Sequence, residues 1–130
     1  CMKEYELFCR TLKNLEEIQN VKLPYDVIKW TGMVTLFKLC FEQAWKAMKE
    51  LLEQSGYSEA RMGSPRSILK LAYQAGMIDN ETEWLQALKD RNDVTHSYNE
   101  MIALQIIQDC REKYLVLFEQ LQKTMEEKWL

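Results

Sequence analysis

The sequence predicts an all-α fold, an up-and-down four-helix bundle with one extra short helix. Three observations lead there. Apolar residues recur at spacings of three and four along most of the 130 residues, as they do on one face of a helix. No stretch alternates apolar and polar with period two for long enough to make a strand. The chain carries four Gly and two Pro, too few for the frequent turns of an all-β chain. Apolar residues make up 47% and charged residues 28%, a composition that can build a core rather than stay disordered. Residues 1–130 are read as a single domain.

The elements follow in order. Tyr5, Phe8, Leu12, Leu15 and Ile18 form one stripe with Lys and Glu between them, which predicts a helix over about residues 3–19. Asn20 to Tyr25, with Pro24, is a break. Asp26 caps a second helix that Gly56 ends. Its stripe is Ile28, Trp30, Val34, Phe37, Phe41, Trp45, Met48 and Leu52. Val27, Met33, Leu36, Leu39, Cys40, Ala44 and Leu51 widen it beyond a single face. Such a helix is buried against more than one neighbour. Either its own chain wraps it, or a second subunit covers part of it.

Gly56 to Gly63 reads as a polar loop. Ser64-Pro65 starts a third helix with Ser as N-cap and Pro at the first helical position, and Gly76 stops it. Asn80 and Glu83 resemble a capping box for a fourth helix carrying Trp84, Leu85 and Leu88. A last long helix begins near Asn99, with Leu104, Ile107, Tyr114, Leu117, Phe118, Leu121 and Met125 as its stripe.

Net charge is −3 and the isoelectric point is near 5.3. That argues against a protein held on nucleic acid by bulk positive charge, but leaves room for a small basic site. Lys3, Glu4 and Glu6 stand where a signal peptide would need an apolar stretch. No apolar run reaches the length of a bilayer span. A cytoplasmic address and no membrane partner are expected. Cys1, Cys9, Cys40 and Cys110 lack metal-like spacing, and the last three sit in apolar helical patterns. They are expected to be reduced, small hydrophobes. Cys1 precedes Met2, so Met2 is the expected natural start.

Several chemistries have no motif here. There is no phosphate-cradling Gly-rich loop, no Cys-x-x-Cys and no Gly-x-Ser-x-Gly elbow. With one histidine, a two-His metal site within one chain is impossible. Glu81 and Glu83 fall in the first turn of a helix, where carboxylates complement the dipole, and are read as structural. No metal and no cofactor are expected.

One segment carries a chemical set: Arg91-Asn92-Asp93-Val94-Thr95-His96-Ser97-Tyr98-Asn99-Glu100. At helical spacing His96 falls one turn after Asn92 and on the side of Asp93, with Arg91 one residue further back. Arginine grips a phosphate with a planar fork, and an imidazole exchanges protons near neutral pH. Together they are the minimum set for metal-free RNA cleavage. His96 would take the proton from a ribose 2′-hydroxyl, and Arg91 would stabilise charge on the phosphoryl oxygens. The other reading of the same spacing is a polar helix terminus with His96 and Asn99 as caps.

Arg91-x4-His96-x-Tyr98, with polar Asn92 beside the arginine, resembles the R-x4-H-x-Y signature of HEPN-domain proteins. Leu36 to Lys46, Gly63-Ser64-Pro65-Arg66, Ala75 to Asp79 and Arg91 to Glu100 resemble, in order, four blocks of the nucleotidyltransferase substrate-binding protein family. The resemblance runs from about residue 4 to about residue 125.

That resemblance implies a four- or five-helix bundle pairing as a homodimer. It also implies a partner, a separate minimal nucleotidyltransferase encoded nearby that carries Gly-Ser and Asp-x-Asp motifs and uses ATP. This chain lacks both motifs, since Gly63-Ser64 is followed by Pro65-Arg66 and no Asp-x-Asp occurs. In related toxin–antitoxin pairs the HEPN chain is a ribonuclease with a paired active site, and the transferase silences it by adding AMP to the motif tyrosine. Carried over, Arg91 and His96 are catalytic, Asn92 orients them, Tyr98 is the AMP acceptor, and Asp93 and Asn99 support them. The alternative is a non-catalytic subunit that holds nucleotide or substrate for the transferase.

Overall fold

The computed structural model describes residues 2–130, and Cys1 lies outside them. Among the described residues there is no strand. Helix α1 spans Lys3–Leu15 and tightens into a 3₁₀ turn over Glu16–Asn20. Helix α2 spans Val27–Gln54, α3 Pro65–Gln74 and α4 Glu81–Asp93. The last rod is α5, Glu100–Asp109, then a π-helical turn over Cys110–Tyr114, then α6, Leu115–Lys128. Helices α1, α2, α4 and the α5–α6 rod make the four-helix bundle, and α3 is the extra short helix.

The local signals act as their chemistry requires. The Asp26 carboxylate accepts from the Lys29 N–H at 2.8 Å and caps α2. Ser64 and Ser67 close a reciprocal box, the Ser64 N–H donating to Ser67 Oγ at 2.8 Å. Asn80 Oδ1 accepts from the Glu83 N–H at 3.1 Å. The return arm differs from a standard box, because Asn80 Nδ2 donates to the Glu83 carboxylate at 2.8 Å. Gly56 and Gly76 sit just past α2 and α3 at φ 95° and 84°, a region costly for any residue with a Cβ.

Helix α2 is the axle. It packs against α1, α3, α4 and α5, and α1 also meets α6. An aromatic cluster joins the layers. Phe37 stacks on Tyr114 at 5.3 Å between ring centres and on Phe118 at 6.3 Å. Trp84 meets Phe118 at 5.4 Å and Phe41 at 6.2 Å. Such rings add contact energy beyond the area they bury. Arg111, on the π turn, donates to the Ile18 and Val21 carbonyls at 2.8 and 2.7 Å and to Tyr25 Oη at 2.8 Å. It thereby ties the α1–α2 connection to the last rod.

One expectation is borne out in part and one needs correction. The broad stripe of α2 meets several neighbours, but it is not buried along its whole length. Val34, Phe37, Phe41, Met48 and Leu52 are buried, but Ile28 is 81% exposed, Val27 58% and Leu39 49%. The chain wraps the C-terminal half of α2 and leaves apolar side chains of its N-terminal half bare. Residues 56–63 are not a plain loop either. A 3₁₀ turn over Ser58–Met62 packs on α2 and buries Ala60.

Cys40 and Cys110 are buried and Cys9 is half-buried, all three as free thiols. Burial pushes the Cys110 thiol up to about 12 and the Cys40 thiol upward as well. No helix among the described residues is long and apolar enough to cross a membrane.

Candidate functional site at the end of α4

The segment from Arg91 to Asn99 is where α4 stops and the chain turns back. Helical hydrogen bonding continues through Asp93. Asn, Asp, Thr, His and Ser then follow, residues whose side chains compete with the backbone for hydrogen bonds. The chain tightens into a 3₁₀ turn over Val94–His96. Thr95 Oγ1 donates to the Asn92 carbonyl at 3.3 Å, the Ser97 N–H to the Val94 carbonyl at 3.0 Å, and the Asn99 N–H to the His96 carbonyl at 3.0 Å. Asn99 Oδ1 accepts from the Met101 and Ile102 N–H groups at 2.9 and 3.4 Å and starts α5. Of the two residues offered as caps, Asn99 fills that role with its side chain, whereas His96 contributes only its carbonyl oxygen.

Arg91 points towards α2. Its guanidinium forms an ion pair with Glu42, and Nη1 donates to Asn92 Oδ1 at 2.9 Å. The other Glu42 oxygen accepts from Trp45 Nε1 at 3.2 Å. The two charged side chains are only 26% and 20% exposed, so water screens them less than a surface pair. Asp93 turns back along α4 and pairs with Lys89 at 3.2 Å.

His96 and Tyr98 take no part in these contacts. Both are exposed, Tyr98 at 82%. Their rings meet edge to face with centres 6.2 Å apart. The structure thus makes two groupings, Glu42–Arg91–Asn92 and His96–Tyr98. The expected helical spacing of His96 over Asn92 and Asp93 gives way because the 3₁₀ turn intervenes.

Glu42 and Trp45 belong to this site, yet sequence reasoning gave Glu42 no role and read Trp45 only as part of the apolar stripe of α2. Both lie inside the Leu36–Lys46 block, and their three-residue spacing puts them on one helix face. A second polar cluster lies behind the site. Tyr114 Oη donates to Asp90 Oδ2 at 2.6 Å in the buried interior, and Gln86 Nε2 reaches Asp90 Oδ1 at 3.4 Å. Burial pushes the Asp90 carboxyl above its usual range, and neighbouring Asp109 adds to the shift.

Among the described residues, no group of three His, Cys, Asp or Glu side chains is arranged to hold a metal ion. The chemistry on offer is that of an exposed imidazole, an exposed phenol and a carboxylate-held guanidinium.

Residues 3–127 match the family described as "Nucleotidyltransferase substrate binding protein like". The chain belongs to that family. Two solved structures are similar to it. One is a Thermus thermophilus protein, 24% identical, covering 89% of this chain and 96% of its own with a TM-score of 0.78. The other is a Haemophilus influenzae protein, 18% identical, covering 95% of each chain with a TM-score of 0.70. The latter is described as revealing the fold of a substrate binding domain of a nucleotidyltransferase. At these identities the likeness shows a shared fold. Among curated proteins, no relative matches the sequence.

Proposed function

We propose that this protein is the helical partner subunit of a separate minimal nucleotidyltransferase, and that its Arg91–Tyr98 segment is a metal-independent endoribonuclease site silenced by that partner. The observation that carries the reading is the paired exposure of His96 and Tyr98 at the α4–α5 turn. An imidazole left open to solvent can receive a ribose 2′-hydroxyl. A phenol beside it can be reached by another enzyme's active site. Gly-Ser-Pro-Arg and the lack of Asp-x-Asp leave no nucleotidyl-transfer motif in these 130 residues, which supports a transferase supplied by another chain.

In this reading His96 accepts the proton as the 2′-oxygen attacks phosphorus. The 5′-oxygen then leaves with the proton that His96 took up, and a 2′,3′-cyclic phosphate remains. Arg91 stabilises the charge on the non-bridging oxygens, and Asn92, bonded to it, fixes its plane. Two copies face each other across a two-fold axis. The bare apolar side chains of Val27, Ile28 and Leu39 support that pairing.

A second reading is favoured by the Glu42–Arg91 ion pair, which already occupies the guanidinium. In it the chain is a non-catalytic subunit that holds nucleotide or substrate for the transferase. One experiment separates the two. The chain is purified alone and incubated with RNA in excess EDTA. Cleavage that is lost in His96→Ala supports the ribonuclease. Intact RNA, with nucleotide bound only when the transferase is added, supports the binding subunit.

A further inference from the structure

Two grooves adjoin along α4 and share Thr82, Gln86 and Lys89. One, between α4 and α5, of about 670 Å³, is lined by four carboxylates, Glu83, Asp90, Asp93 and Asp109, against Lys89 and Lys113. The other, between α3 and α4, of about 520 Å³, is lined by Arg66, Thr82, Leu85, Gln86, Leu88, Lys89 and Asn92. That set holds two cations and no carboxylate. In a chain with 20 acidic and 17 basic residues, an acid-free cationic groove is a local departure from the surface as a whole.

The groove reaches Asn92, whose side-chain oxygen accepts from the Arg91 guanidinium at 2.9 Å. Arg66 and Lys89 therefore lead from α3 towards the α4–α5 turn, and Arg91 lies beyond them, bonded to Asn92 but held by Glu42 on the α2 side. Arg66 is exposed, and among the described residues it has no carboxylate partner within ion-pair distance. Lys89 pairs with Asp93 only as an exposed helical neighbour at 3.2 Å, a contact that an incoming phosphate displaces at little cost. Half-buried Leu85 gives the floor an apolar surface on which a base can rest.

We infer that the α3–α4 groove is the track along which single-stranded RNA approaches the Arg91–His96 site, with Arg66 and Lys89 contacting successive phosphates and Leu85 supporting a base. The identity of the polymer rests on the ribonuclease reading above. The groove's preference for a polyanion rests on its lining alone.

The test is binding of a fluorescently labelled RNA decamer, followed by anisotropy from 50 to 200 mM NaCl. The His96→Ala background prevents cleavage during titration. Arg66→Ala, Lys89→Ala and the double variant are compared with Lys113→Ala on the acidic side, and melting curves confirm that each variant is folded. Each groove variant should weaken binding several-fold and reduce the slope of log K against log salt by about 0.7, the single-strand value per phosphate. The double variant should lose about 1.4, and Lys113→Ala none. Arg66→Lys should restore most of the slope. Unchanged affinity and slope in the folded double variant, or no RNA binding by the His96→Ala parent, would overturn the track. Displacement of RNA by ATP, with ATP affinity itself lost in Arg66→Ala, would overturn it in favour of a mononucleotide site. Cleavage by the unmodified chain is measured separately. A failed track beside intact cleavage leaves the ribonuclease reading standing, and salt-dependent binding without cleavage leaves the track standing.

Discussion

Glu42, midway along α2, holds the guanidinium of Arg91 in the last turn of α4. The same carboxylate is steadied by Trp45. One helix thereby fixes the direction of the only cation in the R-x4-H-x-Y motif, and it neutralises part of that cation's charge. Both effects bear on any anionic substrate.

Glu42→Gln removes the charge and keeps the volume. The pair is partly buried, so the loss should lie between the surface and fully buried limits, about 1–2 kcal/mol. Urea unfolding measures it. In the ribonuclease reading RNA affinity should rise, because Arg91 regains its full charge, while turnover of bound RNA falls as Arg91 loses its fixed orientation. A KM and a kcat that both stay at the unmodified values would show that Glu42 only supports the fold.

His96 makes no side-chain hydrogen bond that holds the turn together, and it is exposed. His96→Ala should therefore leave stability within about 0.5 kcal/mol and abolish RNA cleavage. Asn99→Ala should do the opposite. It removes the α5 cap, should cost about 1 kcal/mol, and should retain cleavage. Melting temperature and cleavage measured on the same two proteins separate a chemical role from a capping one. Arg91→Ala should also abolish cleavage, but at a stability cost, because it leaves Glu42 without its cation.

The burial of Asp90 beside Tyr114 predicts a pH effect. Desolvation raises the Asp90 carboxyl above its unfolded value, so the folded state binds this proton more tightly than the unfolded chain does. Its contribution is fully present below the ordinary carboxylate range and is lost as pH rises through the raised value. The melting temperature of the unmodified protein should fall relative to Asp90→Asn as pH rises from about 4 towards neutrality. Parallel curves for the two proteins would remove Asp90 as the source. Tyr114→Phe should cost about 1–3 kcal/mol, since it leaves a buried acceptor short of its donor.

The helices and their ends were legible because their causes are local. Asp26, Ser64, Asn80, Asn99, Gly56 and Gly76 act within four residues of themselves, and the sequence shows such signals directly. The site was legible in composition but not in geometry. Thr95 and the 3₁₀ turn shift His96 away from the helical position that spacing alone assigns to it. Glu42 could not be tied to Arg91, because their pairing depends on how α2 crosses α4. The π turn at Cys110–Tyr114 has no local sequence mark. The bare end of α2 was invisible for a related reason. Ile28 and Phe37 look alike in a hydrophobic pattern, and only the packing of α1 and α5 decides which is covered.

The last prediction concerns control through Tyr98. Its 82% exposure leaves the phenol free of the bundle, whereas Tyr5 donates to Glu126 at 2.8 Å and Tyr114 to Asp90 at 2.6 Å. Those two hydroxyls are engaged in the fold, and a partner's active site cannot take them without opening it. Tyr98 can be reached as it stands, with His96 beside it. Attaching AMP through the phenol oxygen would place a phosphate and a purine beside His96, the proposed base. Like-charge repulsion and bulk then act together against an RNA backbone at His96. Co-expression with a neighbouring minimal nucleotidyltransferase, followed by intact mass and peptide mapping, should show one or more AMP-sized increments on the peptide containing Tyr98 and none in Tyr98→Phe. Tyr98→Phe should still cleave RNA and should no longer be silenced by the transferase and ATP. If Tyr98→Phe is silenced as fully as the unmodified chain, with no mass increment in either, control is by physical masking and the exposed phenol has no part in it.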